Sequence, residues 1–134
     1  MALTIFDVAG SAMHAQSTRL NTIASNLANA ENVSGDPNAV YKVREPVFTV
    51  HPYGNDPTTA GVRVVEIVES DRPAIQRYEP GHPMADGNGY VYAPDIDPVA
   101  QMVNLISASR GYAANVEVLN TAKELAIATL NINR

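Results

Sequence analysis

Apolar residues near the start of the chain recur at spacings of three and four, which is the period of one face of an α-helix. Small or uncharged polar residues stand between them, and only two of the first 30 residues are charged. The pattern predicts a helix from about residue 4 to residue 30, with a capping box that begins at Thr4 and stop signals from Asn29 to Gly35. The recurring positions are Ile5, Ala9, Ala12, Gln16, Leu20, Ile23, Leu27 and Ala30.

A second periodic stretch occupies the end of the chain, and it predicts a helix that begins at Pro98. Asp97 and Pro98 are the residue types preferred at an N-cap and at the first helical position. Gly111 lies inside this helix, where glycine costs about 1 kcal/mol relative to alanine. Either the close approach of another backbone or a tolerated exposed glycine explains it. The apolar stripe comprises Leu105, Ala108, Tyr112, Val116, Leu119, Ala122, Ala126 and Leu130, widened by Val99, Met102, Val103, Ile106, Ala113 and Ile127.

Between the two helices the pattern changes to short β-rich runs separated by turns. All nine prolines lie between Pro37 and Pro98, and proline removes a backbone donor and breaks helices. The predicted strands are 41–50 (kinked by an internal proline), 62–68, 75–78 and 90–92, with turns at 53–57 and 80–83. The predicted fold is therefore α+β, with two long terminal helices that pair as a coiled coil and flank a small β-rich, turn-rich middle region. The predicted segments are 1–30, 31–97 and 98–134.

Charge and composition exclude several classes of protein. The net charge is −5, which argues against a nucleic-acid binder because such proteins need a basic surface. The chain has no cysteine, so disulfides and thiolate chemistry are absent. Apolar runs are too short for a membrane-spanning helix, and the first residues lack the basic start of a secretory signal peptide. We therefore expect no direct insertion into a membrane and no export by the classical route.

The outer face of the first predicted helix is unusually poor in charge. Charged residues make up 17% of the chain, against about 25% in typical soluble domains. A solitary surface helix normally carries a charged outer face. One interpretation is that this helix is covered on more than one side, by the C-terminal helix and by other subunits, as in an open helical assembly. The alternative is an ordinary intramolecular helical hairpin capped by a β lobe.

Few residues suggest catalytic or metal chemistry. The histidines His14, His51 and His82 are too far apart for a local zinc motif. His82 and Asp86 have the spacing of metal ligands on one helix turn, but Pro83 argues against a helix there.

The remaining candidates also have ordinary explanations. Asp95 and Asp97 are explained by capping of the following helix. The tyrosines concentrate in the middle region, where they fill a small β lobe or, alternatively, stack on glycan or form subunit contacts. We expect no catalytic residue, no metal and no cofactor, and hence no enzyme.

Both ends of the chain resemble the bacterial flagellar axial proteins, the family of rod, hook and related components. The N-terminal motif is Ala24–Ala30, and the matching C-terminal motif is Ser109–Lys123. The segments Tyr78–Pro83, Gly89–Val91 and Met102–Asn104 resemble a proximal-rod member of that family. The resemblance covers nearly the whole chain.

The resemblance implies a structural subunit of the flagellar basal-body rod, the tube that serves as drive shaft and export channel. Residues 1–30 and 98–134 would form the inner tube domain. The implied partners are other proximal and distal rod proteins, the adaptor to the membrane ring, further copies of the chain and the flagellar type III export apparatus. The implied location is the rod across the periplasm, reached without a cleaved signal peptide. The other function that the pattern allows is a soluble coiled-coil adaptor or export-chaperone-like binding module.

We expect the contacts within the coiled coil and between subunits to come from both ends of the chain. The candidate residues are Ile5, Ala9, Ala12, Leu20, Ile23, Asn26, Leu27, Asn29, Met102, Leu105, Ile106, Arg110, Tyr112, Asn115, Val116, Leu119, Asn120, Ala126 and Leu130.

Overall fold

Two long helices enclose two small antiparallel sheets along the chain, which confirms the predicted α+β class. The computed structural model describes the backbone of residues 2–133 and the side chains of residues 4–133, so Met1 and Arg134 of the predicted segments lie outside it. The elements are α1 (Ala2–Ala28), β1 (Arg44–Pro52), β2 (Ala60–Glu69), β3 (Ile75–Tyr78), β4 (Tyr90–Ala93) and α2 (Pro98–Ile132).

The ends of the helices follow the sequence signals except at the start of α1. That helix begins at Ala2, so Thr4 lies inside it and the predicted capping box is wrong. Alanine and leucine are among the strongest helix formers, and they extend the helix past the predicted cap. At the start of α2, Asp97 is the N-cap, and its Oδ1 accepts a hydrogen bond from the backbone N–H of Val99 at 3.0 Å. Pro98 occupies the first helical position, as predicted.

The two helices pack against each other in an antiparallel arrangement. Asn26 near the end of α1 contacts Gln101 in the first turn of α2, and the side chain of Gln16 lies against Gly111. These contacts are ten residues apart on both helices, so one register runs along the pair. The buried side chains along the pair include Ala9, Ala15 and Ile23 of α1 and Gln101, Ala108 and Ala122 of α2.

Strands β1 and β2 form an antiparallel hairpin, as the alternating pattern and the intervening turn predict. Pro46 lies within β1, which tolerates it because every strand of a two-stranded sheet is an edge. A β-bulge lies opposite Val47 and Phe48, where Val65 is the extra residue of β2. In the connecting turn Gly54 has a φ of +74°, which glycine adopts without steric cost.

The hairpin approaches α1 closely near its turn, where a glycine permits the contact. A Cβ atom at Gly61 would lie only 2.5 Å from the hydroxyl oxygen of Ser11, so any larger residue would push the strand away. The backbone N–H of Val62 donates to the same hydroxyl at 3.0 Å. Helix α1 therefore covers part of the edge of β2 that does not face β1.

The second sheet, β3–β4, contains the most deeply buried part of the middle region. Val91 is 0% exposed, and Ala93 is also buried. The loop after α1 joins this sheet, because the backbone groups of Ser34 and Tyr92 form two hydrogen bonds of 2.9 and 2.8 Å. The segment that leaves α1 is thereby fixed to the strand that leads into α2.

Candidate assembly interface

Helix α1 covers only one side of α2. The residues of α2 that are buried or half-buried on this side recur at helical spacings of three and four. They are Gln101, Leu105, Ala108, Gly111, Asn115, Leu119, Ala122 and Ala126, with Val116 half-buried beside them. This is the period of a coiled-coil seam, and it leaves more than half of the circumference of α2 outside the contact with α1.

The uncovered side of the first turns of α2 is apolar. Val99, Met102, Val103 and Ile106 are between 54 and 69% exposed, and we call these four residues the outer face of α2. No charged residue occurs from position 98 to position 109. Contiguous apolar surface without charge is typical of a surface that another protein covers.

A second apolar surface lies toward the other end of the helix pair. A groove of about 690 Å³ runs between α1, the β1–β2 turn and α2. Ile5 and Val8 line it from α1, and Val118 and Leu125 line it from α2. Its rim carries Asp56 from the hairpin turn. Apolar surface of α2 is therefore exposed in both halves of the helix, although Glu117, Lys123 and Glu124 lie beside it in the second half.

Asn26 lies at the meeting point of α1, β1 and α2 and is only 1% exposed. Its Oδ1 accepts hydrogen bonds from the hydroxyl of Tyr41 at 2.9 Å and from the backbone N–H of Arg44 at 3.0 Å. Its Nδ2 donates to the carbonyl oxygen of Arg44 at 2.9 Å and lies 3.4 Å from Oε1 of Gln101. Burial raises the pKa of the Tyr41 phenol, with opposing contributions from Arg44 and Glu69, so the phenol is retained as a donor.

The predicted site residues divide into two groups according to exposure. One group is buried or half-buried inside the chain, mostly between the helices: Ala9, Ala12, Leu20, Ile23, Asn26, Leu27, Asn29, Leu105, Asn115, Val116, Leu119 and Ala126. The other group is exposed: Ile5, Met102, Ile106, Arg110, Tyr112, Asn120 and Leu130. The first group is placed to hold the chain together, and the second is available to other subunits.

Several residues at these contacts were not among the predicted candidates. Gln101, Ala15 and Thr22 are buried between the elements, and Val118 and Leu125 line the groove. Gln101 lies four residues before Leu105 in the seam, so extending the period of three and four by one step would have found it. No comparable sequence signal marked Thr22. In the structure its hydroxyl donates a hydrogen bond to the carbonyl oxygen of Thr18 at 2.8 Å, within α1 itself.

The residues considered for chemistry have structural roles. Nδ1 of His82 accepts a hydrogen bond from the backbone N–H of Met84 at 3.0 Å, as expected of a turn residue. Asp97 caps α2, as expected. The expectation that Asp95 also serves as a cap is wrong, because its carboxylate instead lies 3.7 Å from a guanidinium nitrogen of Arg72.

Among the side chains of residues 4–133, no three or more His, Asp or Glu residues come together in a group that could hold a metal ion. No helix in the described part of the chain has both the length and the hydropathy to span a membrane.

Comparison with protein families gives matches at both ends of the chain. A model described as "Flagella basal body rod protein" matches residues 6–35, which include most of α1. A model described as "Flagellar basal body rod FlgEFG protein C-terminal" matches residues 88–132, which include β4 and α2. The two helices that form the seam thus carry the sequence features of flagellar rod proteins, which defines the class.

Curated relatives extend the match over nearly the whole chain. The flagellar basal-body rod protein FlgC of Salmonella typhimurium is 50% identical over 98% of both chains. FlgC of Yersinia enterocolitica is 48% identical over 98% of both. FlgC of Aquifex aeolicus is 41% identical, covering 89% of this chain and 87% of its own. The chain belongs to the FlgC family of flagellar basal-body rod proteins.

Family membership confirms the resemblance seen in the sequence motifs. The chain is a structural subunit of the proximal rod of the flagellar basal body, and its family is not one of enzymes. Its partners include other rod proteins. The interpretation as a rod subunit is thereby preferred to the soluble adaptor module and to the enzyme.

Proposed function

We propose that the chain enters the rod through its two terminal helices, which pair as a coiled coil and leave the outer face of α2 for neighbouring subunits. The observation that carries this proposal is the exposure of Val99, Met102, Val103 and Ile106 on a helix whose other side is already packed against α1. Burying apolar surface contributes about 25 cal/mol per Å². Burial of these four side chains therefore gives each subunit a favourable free energy of assembly, which offsets the conformational and rotational entropy that the subunit loses.

The total surface of the chain supports the same proposal. Its accessible area is 9023 Å². A compact monomer of this mass has about 6,800 Å² by the scaling of surface with mass. The excess on this one chain is larger than the roughly 800 Å² that each partner buries in a standard protein–protein interface. The chain thus has surface to give up to neighbours without losing its own core.

We further propose that residues 1–30 and 98–134 form part of the wall of the tube that acts as drive shaft and export channel. Many parallel apolar contacts between neighbouring helices distribute a torque better than a single strong contact. The uncharged character of α2 from position 98 to position 109 supports a location between subunits.

The finer partners and the location rest on the family. We propose that the neighbours are other proximal and distal rod proteins, the adaptor to the membrane ring and further copies of this chain. We also propose that the flagellar type III export apparatus delivers the chain, without a cleaved signal peptide, and that the chain then lies in the part of the rod that crosses the periplasm. No cofactor takes part in it.

A charge placed on the outer face of α2 tests the proposal. We expect Ile106→Asp to keep the helix pair intact and to prevent incorporation, because a carboxylate buried without a partner costs several kcal/mol. The measurement is the amount of the variant in purified basal bodies, together with swimming in soft agar. The matched control is Asn104→Asp, which adds the same charge at an exposed position about 100° or more around the helix from all four residues of the outer face.

The two variants must differ if the outer face is an interface. Rods and motility of normal level in cells that carry only Ile106→Asp would contradict the proposal. Equal loss in both variants would also contradict it, since the effect would then come from charge on the helix rather than from this face.

A further inference from the structure

The amide of Asn26 binds the backbone of Arg44 as a neighbouring strand would. Its Oδ1 accepts the N–H of Arg44 at 3.0 Å, and its Nδ2 donates to the carbonyl of the same residue at 2.9 Å. Arg44 is the first residue of β1. A planar group that accepts and donates side by side is needed for this pairing, and a carboxylate or an aliphatic side chain cannot provide it.

The same amide also reaches the other helix. Its Nδ2 lies 3.4 Å from Oε1 of Gln101 in the first turn of α2, and its Oδ1 accepts from the phenol of Tyr41 at 2.9 Å. All the hydrogen-bonding capacity of one buried side chain is thus shared among α1, β1 and α2. Groups bound by a shared buried network are expected to open together.

Besides the packing of β1 and β2 against α1, the hairpin has one other hydrogen-bonded attachment to a helix among the described residues. Near its turn, Ser11 of α1 accepts the N–H of Val62 at 3.0 Å. Between that contact and Asn26, an open groove of about 420 Å³ separates α1 from Ile67 and Glu69 of β2. Two hydrogen-bonded attachments therefore fix the direction of the hairpin on the helix, and the loss of Asn26 leaves one of them.

We propose that Asn26 is a joint that couples docking of the β1–β2 hairpin to pairing of α1 with α2, and so fixes the direction in which the hairpin leaves the helices. A chain with separated helices releases its hairpin, and a chain with a released hairpin loses pairing at the start of α2. The joint belongs to the single chain and does not depend on how the rod is assembled.

The chain offers a matched pair of variants for the test. Asn26→Asp keeps the shape and the acceptor oxygens but removes the donor to Arg44. Asn29→Asp places the same carboxylate near the same end of α1, where both charges meet the negative end of the helix dipole. The side chain of Asn29 bonds only within the helix end, to Ser25 and Asn32, both at 2.9 Å.

Two measurements on the full-length chain report on the joint, in trimethylamine N-oxide if needed to reach full helix content. Because the chain has no cysteine, spin labels can be attached at Asn55→Cys in the hairpin turn and Ser107→Cys on α2. We expect a narrow distance distribution in the parent and in Asn29→Asp, and a broad one in Asn26→Asp. We also expect amide exchange to accelerate about tenfold or more in Asn26→Asp, in the hairpin and in the first turns of α2 together.

The outcome that overturns the proposal is specific. It is a distance distribution and exchange rates in Asn26→Asp that match those of Asn29→Asp. If Asn26→Asp does not fold, Tyr41→Phe decides, because it removes one bond of the network and little else. Faster exchange in both the hairpin and α2 supports the joint, and exchange that is unchanged or accelerated only at residues 41–44 refutes it.

Discussion

At the scale of single residues, Asp86 shows how one side chain can order a turn. Its Oδ1 accepts hydrogen bonds from the backbone N–H groups of Asn88 and Tyr90, both at 2.9 Å, and its Oδ2 accepts from the phenol of Tyr92 at 3.3 Å. These bonds, that of Tyr90 above all, lower the pKa of Asp86 below its ordinary value. The ionised carboxylate thus holds the turn that joins β3 to β4.

This arrangement predicts an acid-sensitive turn. A carboxyl group whose pKa is lowered in the folded state stabilises it above the unfolded pKa of about 3.9 and loses that effect as the pH falls through the lower, folded value. We expect the amide of Tyr90 to lose protection from exchange only below about pH 4. In Asp86→Asn the protection should be weaker at neutral pH and should not change in acid. Protection of the parent that persists unchanged at low pH would contradict this.

Single residues were predictable from the sequence where their partners lie nearby along the chain. The cap at Asp97, the first-turn proline at Pro98 and the turn role of His82 each depend on residues within a few positions, and all three are found. Asn26 was expected only at a helix contact. Its bonds to Tyr41 and Gln101 join residues 15 and 75 positions away, and no local pattern contains that information.

At the scale of elements, the two helices meet where one of them carries a glycine. A Cβ atom at Gly111 would lie 3.1 Å from Nε2 of Gln16. Of the two explanations open from the sequence, close approach applies, although the approaching group is a side chain and not a backbone. Oε1 of Gln16 is buried without a hydrogen-bond partner among the described residues. A shift of the Gln16 side chain therefore breaks no hydrogen bond to its Oε1 atom.

We expect Gly111→Ala to stabilise the helix pair. Alanine at a helical position gains up to about 1 kcal/mol over glycine, and the flexible end of Gln16 can move by the few tenths of an ångström that the methyl group requires. The measurement is urea unfolding followed by circular dichroism. Ala114→Gly, at an exposed position of the same helix, should lose a similar amount. A less stable Gly111→Ala would show that Gln16 is held in place.

The types and order of the elements could be read from hydrophobic period and from proline and glycine positions. The strand predicted at 75–78 has these bounds, and the other three differ by a few residues. The start of α1 was predicted at Thr4 because its sequence resembles a capping box. The strong helix formers before it, Ala2 and Leu3, instead extend the helix to Ala2. The side of α2 that packs on α1 was largely predicted, since the stripe residues Leu105, Ala108, Val116, Leu119, Ala122 and Ala126 are buried or half-buried. Tyr112 and Leu130 of the same stripe are exposed. The period alone does not separate them from the buried positions, because α2 carries apolar residues on its other sides as well.

At the scale of the whole molecule, the chain combines a small internal core with a large exposed apolar surface. The deepest burial is at Val91 and along the helix seam, while the outer face of α2 and the groove lined by Val118 and Leu125 stay open. The low charge of the sequence predicted that more than one side of the helices is covered. The sequence of one chain does not specify which partner covers these surfaces, because the complementary surface lies on another molecule.

An unfinished surface predicts association in solution. We expect the purified full-length chain to form larger species as its concentration rises, measured by sedimentation velocity, because apolar contact is non-directional and scales with buried area. Ile106→Asp should remain closer to the monomer, and Asn104→Asp, off the outer face, should behave as the parent. A parent that stays monomeric at every concentration would show that neighbouring proteins of other sequence, rather than copies, cover this face.

The contact of Ser11 with the edge of β2 has a consequence for how such a protein avoids the wrong polymer. A two-stranded ribbon with valine and isoleucine on its strands offers unpaired backbone groups that can recruit foreign strands and start a cross-β fibril. With the N–H of Val62 bound to a helix, the extra residue Val65 twisting the same strand and Pro46 removing a backbone donor from β1, that route is obstructed on both strands of the ribbon. A rod that grows through its helices, as proposed above, then has a single route of assembly.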